Sequence, residues 1–300
     1  MKSRGLDLYC LRENDTKPEL LFRHQQPITE VQLAELNSRG FDSLLVKKPE
    51  FVRVSETLLS SIDAILVDAT IPLETRFAIL QIAYANEIER LFRKPLLEQY
   101  IVMAQKLGKK ISTLVQQGQM TLPRLYEAVH HNSLHYPHVT NVAVYALVLA
   151  QSMERVFPED FDNIAVGCLL HEVGELYLPA ELKAKKGLLS IRDRQEFEKV
   201  PQYAYEALSE YECLTFGQLM MAYQQCERID GTGYPVRTLA EDIHPWAKLM
   251  TIVDIFDSLT NERQNRPVGL RNALLHLADG AKKHFEPEMV LCWITNFQPQ

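Results

Sequence analysis

A mainly α fold is predicted, with a small α/β unit at residues 1–120 ahead of an all-α bundle at residues 121–300. Three observations predict it. Glycine is scarce, 12 of 300 residues, against a usual share of about 7%, which disfavours a turn-rich all-β chain. Apolar residues keep helical spacing from about Ser55 onward. Strand-like runs occur only in the first 50 residues.

In chain order, Leu8–Leu11 and Leu20–Phe22 read as short strands. Thr29 starts a helix with apolar spacing at Val31, Leu33 and Leu36, and Ser38-Arg39-Gly40 stops it. Ser43–Val46 reads as a further strand. Pro72–Phe92 carries Leu73, Phe77, Leu80, Ile82, Ala83, Ile88 and Leu91 at helical spacing, until Lys94-Pro95 breaks it. Leu96–Val115 ends at Gln116-Gln117-Gly118, and Leu122–His131 is a short helix; the second domain begins somewhere near 95–125. The bundle then follows as His138–Val156, Asp162–Leu176, Ile191–Tyr211, Thr215–Arg228, Ile243–Leu259, Leu270–Phe285 and Pro287–Phe297, with a glycine-containing loop at Asp230–Pro235.

Composition excludes several classes. Hydrophobic residues are 46% and charged residues 24%, so the chain is not wholly disordered. Thirty-two basic against thirty-nine acidic residues give a charge of −7, which argues against a generic nucleic-acid binder. The five cysteines are dispersed and form no CxxC pair, as expected of a reduced cytosolic compartment. The longest purely apolar run, Val142–Ala150, has nine residues, against the ~20 of a membrane span. No targeting segment is read at the N-terminus, and a cytoplasmic location is expected.

Three places carry candidate chemistry. In Leu169-Leu-His-Glu-Val-Gly-Glu-Leu176, adjacent His171 and Glu172 lie near the end of an apolar helix. They read either as an ordinary helix end or as nitrogen and oxygen donors converging on one cation. In Ile252–Leu259, Asp254 sits among apolar residues, and a buried carboxylate needs a partner or a metal; Asp257, one turn on, is expected only to cap or face solvent. In Asp230-Gly-Thr-Gly-Tyr-Pro235, Gly231 and Gly233 permit positive φ at two points, and Pro235 stiffens the exit. Tyr234 reads as an interface anchor or as a ring packed on its own helix. Of His130, His131, His135 and His138, only His138 opens an apolar helix and is placed to point inward.

Taken together, LLHEVGELYLP, DGTGYP and WAKLMTIVDIFDSLTNERQNR, with FEPEMV at 285–290, resemble the HD-GYP domain of the HD superfamily of metal-dependent phosphohydrolases, over about Leu122–Phe297. The resemblance implies an all-α bundle. Active members hydrolyse the bacterial second messenger cyclic di-GMP with two or three metal ions, usually iron or manganese. Residue by residue, it places His138, His171, Glu172 and Asp254 at metal-ligand positions, with Glu172 standing where the family has an aspartate. Glu175 stands where the family has a phosphate-contacting lysine. Val200, Gln225 and Cys226 stand where it has ligand histidines, and Cys226 is a thiolate candidate for a soft ion. At ~4 Å and an effective dielectric of about 20, each unit charge pair beside a phosphate is worth about 4 kcal/mol before screening, and the change from lysine to glutamate turns an attraction into a repulsion. The loop residues Asp230, Gly231, Gly233, Tyr234 and Pro235 match, as do Arg263 and Arg266, candidate phosphate contacts.

The expectation is a degenerate HD-GYP protein, a pseudoenzyme or strongly impaired phosphodiesterase that acts through protein interaction. The alternatives are a mononuclear HD-type nucleotide hydrolase and an active cyclic di-GMP phosphodiesterase. No metal or one divalent transition metal, iron or manganese, is expected. Expected partners are a GGDEF-domain or other signalling protein, with cyclic di-GMP as a candidate ligand and a second copy of the chain as a candidate dimer partner.

Overall fold

A computed structural model describes residues 7–10, 17–23, 29–39, 45–93, 96–130, 138–153, 156–183, 185, 188–261, 268–281 and 283–297. Strands β1 (Leu8–Cys10) and β2 (Glu19–Phe22) pair antiparallel, with Leu8 opposite Phe22 and Cys10 opposite Glu19. Of the expected third strand, Ser43 and Leu44 lie outside the described residues, and Leu45 exchanges two backbone hydrogen bonds with Tyr9. Helix α1 (Glu30–Ser38) follows, then α2 (Lys48–Val67), α3 (Leu73–Arg93) and α4 (Leu97–Gln116). Helix α2 begins seven residues before Ser55, where the expected helical region starts, because Pro49 fits the first helical turn.

Helix α5 (Leu122–His130) leads to α6 (His138–Gln151), which is buried on all sides from His138 to Ala150. A helix apolar all round belongs in the centre of a bundle. Helix α7 (Phe161–Leu170) packs on both α4 and α6. The expected single helix to Leu176 does not form. The chain tightens into a 3-10 segment at His171–Tyr177, where the His171 ring bonds the Cys168 carbonyl at 2.6 Å. A 3-10 segment has three residues per turn and stays short.

The short helix α8 (Ala180–Lys183) precedes α9 (Ile191–Phe197) and α10 (Val200–Leu208). The expected helix over Ile191–Tyr211 is thus two helices. Pro201, in the first turn of α10, has no N–H to continue the preceding ladder. Helices α11 (Phe216–Gln224), α12 (Pro245–Thr260), α13 (Leu270–Gly280) and α14 (Pro287–Thr295) complete the bundle, so it has more and shorter helices than the six or seven expected. Phe256 of α12 meets Trp293 of α14 edge-on at 5.1 Å and Tyr145 of α6 at 5.7 Å. One apolar cluster runs from Ile62 to Trp293, so α3 and α4 share a core with the helices after residue 120.

Candidate metal centre

Helix α6 starts at His138, and its ring is buried. The ring Nδ1 lies 2.7 Å from Asp257 Oδ2, and the Asn141 amide donates to Asp257 Oδ1 at 2.8 Å. A carboxylate only accepts, so Nδ1 carries the proton and Nε2 is the ring atom turned to the cavity. Nε2 stands 3.1 Å from Asp254 Oδ1 and 3.7 Å from Glu172 Oε1. His171 Nε2 is 3.9 Å from the same Asp254 oxygen. The expectation for Asp257 is therefore corrected, while Asp254 stands where a ligand was expected. Asp257, expected to cap or face solvent, is 2% exposed and orients His138. Asp254 is the more exposed of the two and faces the cavity.

The charge around His138 is unbalanced. Burial pulls the imidazole pKa down, but Glu172, Asp254 and Asp257 together outweigh it and hold it well above the usual value. Burial pushes Asp254 up, and its bond to His138 with the nearby His171 brings it below the usual carboxylate range. These carboxylates demand a cation. Ligands ~2.1 Å from one ion lie about 3.0 Å apart as neighbours and about 4.2 Å apart as opposites. The separations of 3.1, 3.7 and 3.9 Å fall in that span. Ligand atoms of His138, His171 and Asp254 all lie within 4.8 Å of one another. Imidazoles with carboxylates suit a divalent transition ion, so the donor set fits one.

A cavity of about 290 Å³ opens over this cluster. The rest of its wall is Glu175, Val200, Gln225 and Ser258. Val200 offers only methyl groups. The Gln225 amide is spent on backbone, donating to the carbonyls of His171 and Ala222, each at 2.8 Å. The described lining contains no lysine or arginine.

A family model described as HD domain matches residues 121–289. A solved structure, a HDG"Y"P protein from Bdellovibrio bacteriovorus, has the same fold with a TM-score of 0.68 and 19% identity, covering 97% of this chain and 93% of that one. A cyclic di-GMP phosphodiesterase of Pseudomonas aeruginosa is 26% identical over 53% of this chain and 39% of its own length. A 3'3'-cGAMP-specific phosphodiesterase of Vibrio cholerae is 27% identical over 71% of this chain and 42% of its own. The response regulator RpfG of Xanthomonas campestris, a cyclic di-GMP phosphodiesterase, is 25% identical over 63% of this chain and 50% of its own. The chain is an HD-GYP domain protein. It spans half or less of the length of these curated relatives.

In this HD-GYP protein, His138, His171, Glu172, Glu175, Val200, Gln225 and Asp254 come together on one cavity, as the motifs imply. Cys226 does not line it. Its thiol accepts a hydrogen bond from the Tyr234 hydroxyl, and burial pushes it up to about 11. The cavity lining therefore does not include the thiolate candidate at Cys226. Arg263 and Arg266 lie outside the described residues, as do His131 and His135.

The loop after α11 is organised by Glu227. It is 3% exposed and accepts from the backbone N–H of Val236, Arg237 and Thr238 at 2.8, 3.1 and 3.1 Å. Gly231 has φ +73°, as expected. Gly233 has no positive φ; it is needed because a Cβ there would lie 2.5 Å from Arg228 N and Cys226 O. The Tyr234–Pro235 bond is cis. Tyr234 is half-buried, while Thr232, Val236 and Arg237 are exposed.

Proposed function

We propose that this HD-GYP protein holds at most one divalent transition metal, iron or manganese, through His138, His171, Glu172 and Asp254, and that its hydrolysis of cyclic di-GMP is absent or strongly impaired. The observation that carries this reading is the remaining cavity wall, where Glu175, Val200 and Gln225 supply one carboxylate, methyl groups and a backbone-bound amide. A metal bound at the surviving group would act as a Lewis acid toward a phosphoryl oxygen. A two-metal clamp needs a second donor set within ~3.5–4 Å of the first ion, and this wall has no imidazole to give. The chain's own part is to hold the Nδ1 proton of His138 on Asp257 and to fix His171 through Gln225.

The role left is in signalling by contact, in the cytoplasm. The exposed Val236 and Arg237 edge of the loop faces outward for a GGDEF-domain or other signalling protein, and residues 1–120 form the accessory unit that receives the input. No described helix is long and apolar enough to cross a membrane. A second reading, a metal-dependent phosphohydrolase, is favoured by one observation: ligand atoms of His138, His171 and Asp254 lie within 4.8 Å of one another. Its substrate would be cyclic di-GMP or a nucleotide phosphate.

The test is cyclic di-GMP turnover with added manganese or iron under anaerobic conditions, with metal content measured in the same preparations. The unaltered protein is expected to show no turnover above background and one metal equivalent or fewer. A variant carrying Glu172→Asp, Glu175→Lys, Val200→His and Gln225→His is expected to take up a second equivalent and gain turnover. Robust turnover by the unaltered protein, or two metals in it, overturns the proposal in favour of the second reading.

A further inference from the structure

The accessory helices reach the ligand histidines through a buried polar chain. Gln81, on α3, is 4% exposed, although it lies about 57 residues before His138 in sequence. Its side-chain amide donates to Thr140 Oγ1 at 2.8 Å and to Asn141 Oδ1 at 2.6 Å. Asn141 then donates to Asp257, and Asp257 accepts from His138 Nδ1. Four side chains on α3, α6 and α12 thus form one continuous line.

The direction of that line is fixed by chemistry. Asp257 takes donors only, so Asn141 must turn its NH2 toward Asp257 and its oxygen away. That oxygen then needs a donor, and Gln81 supplies it. With the line set this way, Nδ1–H is held and Nε2 is presented to the cavity. Outer partners of this kind fix the tautomer and ring angle of a ligating histidine. Gln81 gives up one acceptor for this: its Oε1 is buried without a hydrogen-bond partner among the described residues. A group kept at that cost is explained by what its NH2 does. A second accessory helix acts on the other histidine, since Tyr100 of α4 donates its hydroxyl to the Leu169 carbonyl at 2.8 Å, two residues before His171.

We infer that Gln81 is a positioning residue for the candidate metal centre, setting the orientation of His138 through Asn141 and Asp257. This rests on the reading that the cavity holds a metal, and the experiment separates the two. Gln81→Met keeps the volume and removes both donated hydrogen bonds. Ser55→Ala is the control. Ser55 makes a buried hydrogen bond to the Ala83 carbonyl, binding α2 to α3 without touching the line to His138. Three quantities are measured in the full chain: manganese affinity by titration calorimetry, the His138 imidazole N–H signal by proton–nitrogen NMR in metal-free protein, and the thermal midpoint.

For Gln81→Met, affinity is expected to fall, by less than the about 10–100-fold that losing a direct partner of a ligand costs, because Gln81 acts through Asn141 and Asp257, and the His138 Nδ1–H signal to move or broaden. Ser55→Ala is expected to lower the midpoint and leave affinity and signal in place. If Gln81→Met leaves both affinity and signal as in the unaltered protein, or Ser55→Ala shifts both as far, the inference is overturned. If the unaltered protein takes no manganese, the metal reading falls, and the metal-free His138 signal alone decides the role of Gln81.

Discussion

The cavity and the loop after α11 are both built on buried or half-buried carboxylates, and they use them in opposite ways. Glu227 is satisfied by the chain itself, through three backbone N–H groups. Its negative charge is spread over fixed neutral dipoles, and nothing further is required. Glu172, Asp254 and Asp257 instead surround one imidazole, with a second beside them. There the chain supplies less positive charge than negative, and a proton or a metal has to make up the difference. A carboxylate saturated by peptide donors is a structural clasp, whereas carboxylates facing too few cations make a ligand site.

Removing the shared cation partner is the strongest way to break this comparison. His138→Ala leaves Asp257 with the neutral amides of Asn141 and Asn261 and no cation, and leaves Asp254 without its closest imidazole. Breaking one side of a buried ion pair typically costs about 3–5 kcal/mol, because a charge stays buried without its counterpart. Urea denaturation of the metal-free variant should show that loss, and elemental analysis should show no bound metal. A variant of nearly unchanged stability would mean that the carboxylates are compensated by the chain elsewhere.

Glu227→Gln sharpens the comparison from the other side. The amide keeps the shape but loses the charge, and its NH2 turns a donor toward a donor, Thr238 N–H or the pair at Val236 and Arg237. Losing one charge-assisted hydrogen bond of this kind costs about 1.5–3 kcal/mol. The expected readout is local: faster amide exchange at Val236, Arg237 and Thr238, with metal content unchanged. Loss of metal in this variant would show that loop and cavity are one unit.

Much of the fold was legible because apolar spacing survives burial; α3 and α4 follow it closely, whereas α6 ends at Gln151 and not at Val156. The segments that differed did so where one side chain changed the local path. The Cys168 carbonyl bond of His171 marks the tightened turn after Leu170, and Pro201 marks the break before α10. The residues on the cavity were legible as motifs, since His171 and Glu172 are adjacent and Asp254 stands on an apolar helix. Asp257 carried a usable signal: three residues from Asp254, it shares a helix face with it. Gln81 and Asn141 carried none. Asn141 lies 60 residues from Gln81 and 116 from Asp257, and only the tertiary arrangement of α3, α6 and α12 brings them together.

The smallest expected effect concerns Cys226, which lies between the two regions, next to Gln225 on one side and Glu227 on the other. If it belongs with the loop, its thiol stays protonated and shielded, because burial raises it to about 11 and Tyr234 donates to it. Only about one thiol in a thousand would be ionised at pH 8. Cys213 is exposed and should alkylate first with iodoacetamide; Cys168 is fully buried, its thiol held well above the usual value by burial, and should react last. Mass spectrometry of partly labelled native protein should therefore find label on Cys213 well before Cys226. Tyr234→Phe removes the donated hydrogen bond while keeping the ring, and should speed Cys226 labelling by a few-fold at most, since burial and not the hydrogen bond sets the thiol's pKa. Fast labelling of Cys226 in the unaltered protein, slowed by added manganese, would return this residue to the cavity and to metal binding.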